Sequence, residues 1–482
     1  MSNKKIVSNY LYNMIYQITV IIIPIITIPY ISRVLGADGV GANGYTNSLA
    51  IFFSGLCMFG ITNYGIKSIA YVRGTKNKLS NMFWSIWFLQ LCTSLISISI
   101  YITIYIIQDV LNMKVLFLMQ LPWLLAALFD ISWFYIGIED FRKTVTRNVA
   151  VKIIGLILIF IFVKSKQDLE VYILINSMSA FLGNITFWIF IFRYIDKPKL
   201  NKINIPKHIK GAFLLLIPQM AVEIYTTLDR TVIGGLSSLT EVGYYDQSQK
   251  ISRIALTLVT SLSVVLMPRI ANMYANNETY NIKEYLKKSL NFTIVVSVLL
   301  ASSIASISKH FVPLFFSNEF IVIVPYMMIT SFIIIFISIG GVFANQFALP
   351  TGKNKIYIAP LFLAAIINIT SNIILVPKLG ALGGVISIVF TEFCVLVLRV
   401  FLVRKYLDLR FLFRGSWVYF LAGIMSFVFT YYVSNLLSDG LVAVIIEGIT
   451  SCSIFLFTIM IIKNPIRDEL IEGLKKIRIK KG

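Results

Sequence analysis

Apolar blocks of about 18 to 25 residues, separated by short polar clusters, recur from Leu11 to Ile462. A helix needs about 20 such residues to cross a hydrocarbon core of about 30 Å, so each block has the length of one crossing. The chain is 57% hydrophobic, and its 13% of charged residues is well below the roughly 25% of a soluble domain. The expected fold class is an all-α polytopic membrane protein with about fourteen transmembrane helices.

The spans expected from the blocks are 11–31, 42–62, 81–106, 114–137, 148–163, 171–192, 211–235, 251–268, 289–308, 320–345, 356–376, 381–402, 417–436 and 440–462. The first follows Lys4 and Lys5 but is too long for a signal peptide, contains Pro24 and Pro29, and is followed by RVLGADG, which has no small-x-small cleavage site. It is read as a retained span. Cys57, Cys92, Cys394 and Cys452 all fall in apolar blocks and are read as small hydrophobes.

The formal charge of +21 could indicate nucleic acid or a membrane surface, and position decides between them. With a cytoplasmic N terminus, most of the 43 Lys and Arg fall in alternate, internal segments, such as KSIAYVRGTKNK, EDFRKTVTRN and RYIDKPKLNKINIPKHIK. Arg230 is the one basic residue outside both the internal and the external segments. The charge therefore sets topology and faces anionic membrane lipids. No nucleic-acid partner is expected, because no extramembrane domain is long enough to hold one. Neither a Walker motif nor a cofactor motif is present, and His208 and His310 have no ligand-like spacing.

DGVGANGY (38–45) is echoed by TEVGYYDQ (240–247), and MQLPWLLAALF (119–129) by VIVPYMMITSF (322–332), at nearly the same offset. Two six-helix halves follow, residues 1–200 and 201–405, with 406–482 holding two extra spans and a basic cytoplasmic tail. Because six is even, both halves start on one side of the membrane and the repeat is parallel. Such halves are expected to enclose a central cavity and to rock against each other, as in a transporter.

AVEIYTTLDRTVIGG (221–235) sets ionisable groups where they are most costly. On one helix Glu223 and Arg230 share a face, with Thr226 and Thr227 between, while Asp229 points about 100° away. Three roles stay open: a structural ion pair, a polar cavity wall for an anionic or sugar substrate, or a proton or cation coupling site. Asp130 in LFDISWF and Glu392 in FTEFC are further intramembrane carboxylates. Asn63 and Lys67 close the second span and Arg33 the first; Lys67 also fits a topology charge and Arg33 a helix cap. Trp84, Trp87, Trp123 and Trp133 fit an interfacial belt, with sugar stacking open for Trp133 or Tyr135.

YISRVLGADGVGANGY (30–45), GITNYGIKSIA (60–70), DISWFYIGIEDFRKTVTRN (130–148), LDRTVIGGLSSLTEVGYYDQSQKI (228–251) and LPTGKNK (349–355) resemble the polysaccharide-exporter group of lipid-linked oligosaccharide flippases. Their superfamily also holds multidrug and toxin extruders and the lipid II flippase. The resemblance implies a non-enzymatic transporter in the bacterial cytoplasmic membrane. Its cargo would be an oligosaccharide repeat unit linked through a diphosphate to undecaprenol, delivered for capsule or exopolysaccharide assembly, with a polysaccharide polymerase and glycosyltransferases as partners. It further implies cationic cavity residues, carried over to Arg230, Arg33 and Lys67. A teichoic-acid-type precursor flippase and a cation-coupled multidrug antiporter are the alternatives, and the choice between proton and sodium coupling stays open.

Overall fold

The computed structural model describes residues 3–276 and 278–468; the basic tail expected at the C terminus lies mostly outside them. Every regular element among the described residues is helical. Among the described residues, eleven helices or runs of helices are long and apolar enough to cross a membrane. The first two expected spans join in one run, and the expected spans 148–163 and 251–268 lie on the helices Phe141–Phe162 and Leu239–Ala275, parts of which fall outside the described side chains.

The chain divides into two compact units, residues 1–243 and 244–482. The first holds α1 (Asn3–Met58), α2 (Ile61–Val72), α3 (Lys76–Ile102), α4 (Lys114–Phe129), α5 (Ser132–Gly137), α6 (Phe141–Phe162), α7 (Leu169–Ile191), α8 (Pro206–Thr227) and α9 (Asp229–Leu236). The boundary falls inside α10 (Leu239–Ala275). α8 packs on α1, α2 and α3, and α9 on α1, so both belong to the first unit by contact.

α1 contains the first two expected spans as two helical arms joined at Gly36, whose φ of 68° is a backbone state that glycine adopts freely. The arm beyond Gly36 meets the start of α10 at unusually short range. A Cβ on Gly41 would lie 1.7 Å from the carbonyl oxygen of Leu239, and one on Gly243 would lie 2.1 Å from that of Ala37. Side chains of any size are excluded from both positions, as in the small-residue crossings of membrane helices. The Thr240 hydroxyl donates to Asp38 Oδ1 between the two glycines.

The fourth expected span is broken at Asp130, between α4 and α5, which frees helix carbonyls inside the unit. Neighbouring side chains satisfy them. Gln90 Nε2 lies 2.7 Å from Ala127 O, 3.2 Å from Leu128 O and 2.9 Å from Asp130 O; Asn184 donates to Ala126 O at 2.7 Å and Trp188 to Phe129 O at 3.0 Å. Gln90 Oε1 accepts in turn from Trp133 Nε1 at 3.1 Å. Trp133 and Tyr135 are therefore core, not sugar platforms: both are 0% exposed, Trp133 stacks on Phe83, and Tyr135 donates to Phe187 O. Trp84 is also buried, and its Nε1 donates to Asp196 O. Replacing Gln90 by Leu should cost about 1–3 kcal/mol, the penalty for buried carbonyls left unpaired. Thermal unfolding in detergent against wild type would show it; an unchanged midpoint would mean other donors take over.

The second unit continues through α11 (Thr279–Phe315), a 3₁₀ turn (Asn318–Ile323), α12 (Val324–Thr330), α13 (Phe332–Gly341), a π-helical segment (Val342–Ala348), α14 (Asn354–Leu379), α15 (Ala381–Val403), α16 (Leu409–Leu412), α17 (Trp417–Ser434) and α18 (Leu441–Ile461). α17 and α18 pack on each other and on α11. Their outer faces carry Val428, Phe429, Ile449, Leu456 and Phe457, all exposed. Their inner faces carry Ser426, Thr430, Ser434, Glu447 and Ser451, all buried. Apolar outside and polar inside is the pattern for helices solvated by lipid, where polar side chains hold neighbours together.

Candidate functional site

A cavity of about 350 Å³ lies in the first unit beside the break at Asp130. Five elements contribute polar groups to its wall: Ser54 from α1, Trp123 and Asp130 from α4 and its end, Arg147 from α6, Asn184 from α7, and Gln219 and Glu223 from α8. Gly55 lets α8 pack closely on α1 at the cavity edge, since a Cβ there would lie 2.6 Å from Met220 Cε. Small-molecule pockets run from about 300 to 1,000 Å³, so the space admits a sugar ring or a phosphate rather than a whole oligosaccharide.

Arg147 is held from two sides. Its Nη1 donates to Asn184 Oδ1 at 2.6 Å, and its guanidinium lies 4.3 Å from the centroid of Phe187. Because Asn184 also donates to Ala126 O, the broken fourth span and the cation share one tether. Asp130 Oδ1 accepts from Ser132 N at 2.8 Å, which turns its carboxylate at the helix break. Glu223 Oε2 accepts from Thr227 Oγ1 at 3.2 Å, one turn along α8, and among the described residues Glu223 makes no ion pair. Two further lining atoms, Trp123 Nε1 and Gln219 Oε1, are buried without a hydrogen-bond partner. A buried donor and a buried acceptor left open on one wall mark where a polar ligand would gain most.

Of the eight residues singled out in the sequence, Glu223 and Asp130 line this cavity. Asp229 and Arg230 lie on α9, after a break at Leu228 that interrupts the continuous face expected to join Glu223 to Arg230. Asp229 is 1% exposed, Arg230 is half-buried with its stem against Gly44, and both have partners. Arg33 is exposed on α1, and Asn63 and Lys67 are exposed on α2. Glu392 is buried on α15 in the second unit, also with a partner.

Arg147, Asn184 and Gln219 were not singled out, and Trp123 was read only as part of an interfacial belt. Arg147 lies in an internal basic segment whose charge is absorbed by topology, and Trp123 resembles any interfacial tryptophan. Asn184 and Gln219 carried a usable signal, as carboxamides in otherwise apolar spans. Chemically the wall offers one guanidinium for a phosphate, suited to bidentate contact, and two carboxyls and a carboxamide for hydroxyls. With both carboxyls ionised its formal charge is not positive, unlike the cationic lining the resemblance implies. Among the described residues no group of His, Cys, Asp and Glu could hold a metal ion.

A family model described as "Polysaccharide biosynthesis protein" matches residues 6–274, more than half of the chain. The putative O-antigen transporter of Escherichia coli (strain K12) is 22% identical over 404 residues, covering 82% of this chain and 96% of that protein. The capsular polysaccharide biosynthesis protein CapF of Staphylococcus aureus is 24% identical over 258 residues, covering 51% of this chain and 63% of that one. Among solved structures, the lipid II flippase MurJ in an inward closed conformation superposes with a TM-score of 0.74 at 15% identity, covering 96% of this chain and 100% of that one. At that identity the superposition establishes the all-α fold.

Proposed function

We propose that this chain, which belongs to the polysaccharide biosynthesis protein family, is a flippase that moves an undecaprenyl-diphosphate-linked oligosaccharide repeat unit across the bacterial cytoplasmic membrane for capsule or exopolysaccharide assembly. The observation that carries the proposal is a cavity that sets Arg147, Asp130, Glu223 and two open hydrogen-bonding atoms among helices with apolar outer faces. A glycan diphosphate is too polar to cross hydrocarbon, whereas its polyprenyl tail is at home there. A polar wall inside an apolar helical unit serves the first and leaves the second in lipid.

In this proposal Arg147 contacts the diphosphate, and Asp130, Gln219 and Glu223 contact hydroxyls. Arg230 and Asp229, on the helix that follows, and Glu392 in the second unit are retained as secondary candidates, with Arg33, Asn63 and Lys67 at helix surfaces. The two six-helix halves, 1–200 and 201–405, alternate access, and both termini are cytoplasmic, where the basic segments meet anionic lipid. No covalent step is needed. The relatives carry the words O-antigen transport and capsule biosynthesis in their names, which favours surface glycan as the cargo class.

Deleting the gene and weighing the undecaprenyl-linked lipids of the cell tests this. Accumulation of one complete lipid-linked repeat unit is expected, and its mass separates a capsular or exopolysaccharide unit from a teichoic-acid precursor. An unchanged lipid pool together with raised sensitivity to cationic drugs would overturn the proposal in favour of a multidrug antiporter.

A further inference from the structure

The second unit holds a buried ionisable cluster that the cargo site does not use. It lies where α11, α17 and α18 meet. Partway along these helices Ser451 Oγ is 2.8 Å from Ser303 Oγ and 2.7 Å from Ser426 Oγ. Two turns on from Ser303 stands His310, and one turn back from Ser451 stands Glu447, at 2% and 0% exposure. His310 Nδ1 is 2.6 Å from Glu447 Oε1, and its Nε2 is 3.3 Å from Oδ1 of Asp439, whose side chain is 89% exposed in the loop between α17 and α18.

A carboxylate oxygen faces each ring nitrogen. A neutral imidazole has one N–H and would turn a lone pair towards one of the two carboxylates; only the doubly protonated ring donates to both. Glu447 depends on that cation, because its Oε2 is buried with no hydrogen-bond partner. An ionised carboxyl at 0% exposure among apolar helices is costly unless a charge faces it. Antiparallel register sets Thr430 at the level of Glu447, and Thr430 Oγ1 and Ser434 Oγ are also buried without partners. Neither hydroxyl donates to the carboxylate, which leaves the His310 ring as the hydrogen-bond partner of Glu447 among the described residues.

We propose that His310, Glu447 and Asp439 form a proton-binding site that latches α17 and α18 onto α11. Asp439 is its solvent-facing entrance. With the proton bound, the imidazolium ties both carboxylates to α11; when the proton leaves to solvent past Asp439, the neutral ring donates to one carboxylate only, Glu447 is left a buried anion facing no cation and is drawn towards water, and the latch weakens. The other ionisable groups near this end are few. Lys309 is exposed and donates to Asn435 Oδ1 at 2.9 Å, the following 3₁₀ turn carries Glu319, α12 carries Tyr326 and α17 carries Tyr431 and Tyr432. α13 and the π-helical segment have none, and α16 with Arg410 sits at the opposite end of α11, where Phe411 packs on Lys287. The proposal is independent of the cargo.

Hydrogen–deuterium exchange on the full chain in lipid nanodiscs tests it, comparing protection of the first half of α18 between about pH 5 and about pH 9 after correction for intrinsic exchange. In wild type, protection is expected to fall at least about tenfold as pH rises, with the end of α18 beyond Ser451 unchanged. His310→Gln should show low protection at every pH, and Asp439→Asn should keep the fold and move the transition to lower pH. Constant wild-type protection across the range, or an undiminished pH response in His310→Gln, would overturn the latch. Should His310→Gln fail to accumulate, the wild-type and Asp439→Asn profiles decide the question alone.

Discussion

Replacing Arg147 by Ala is expected to lower delivery of the lipid-linked unit at least about tenfold while membrane abundance falls by less than about half. Arg147 is the cavity's cation, and a phosphate facing Asp130 and Glu223 without it would meet like charge alone. The substitution also removes the hydrogen bond to Asn184 and the contact with Phe187, so some loss of stability is built in. Two readouts separate the effects. Accumulated undecaprenyl-linked intermediate reports transport, and the detergent-extracted, monodisperse fraction reports folding. Arg147→Lys should retain part of the transport, because an ammonium keeps the charge but loses the fork that grips two oxygens. Parallel loss of transport and folded protein in both variants would make Arg147 a structural residue only.

The second large effect is steric. Gly41→Ala would drive a methyl to 1.7 Å from the carbonyl oxygen of Leu239, far inside the separation that non-bonded atoms tolerate. A backbone cannot rotate out of the way as a side chain can, so α1 and the start of α10 must separate along their crossing. Extractable folded protein is expected to drop to about one-tenth or less of wild type, with Gly243→Ala comparable. Gly235→Ala, with nothing within 4 Å of the new methyl, is the matched control. Wild-type levels of Gly41→Ala would show that the crossing is looser than its geometry implies.

Why Gly41 could be noticed and its role could not is a matter of range. The echo of Val40-Gly41 in Val242-Gly243 is a one-dimensional signal, readable as a repeat, but the close approach between the echoing segments exists only after folding. The crossings themselves were legible because lipid imposes one length on every one of them. The break at Asp130 was not, for ALFDISWF contains no proline or glycine to announce it; it stands because Gln90, Asn184 and Trp188 supply donors from elsewhere in the chain. Glu223 stood out as a charge in an apolar run. Arg147 was hidden by the rule that oriented the chain, since a basic residue at the mouth of a span looks like topology whatever cavity it enters. His310 was read only for metal spacing, and its carboxylate partner, Glu447, lies 137 residues away.

The contact between residues 37–41 and 239–243 has one more property. Gly41 meets Leu239 while Ala37 meets Gly243, so under the shift that aligns DGVGANGY with TEVGYYDQ each contact is the exchanged copy of the other. Two identical subunits make an isologous interface in this way, residue i of one against residue j of the other and the reverse. Asp38 and Thr240 are equivalent under the same shift, and they hydrogen-bond to each other. In a homodimer that position would set carboxylate against carboxylate or hydroxyl against hydroxyl. Within one polypeptide the two echoing segments carry different residues at that position, so an acceptor faces a donor there and the contact is freed from self-complementarity.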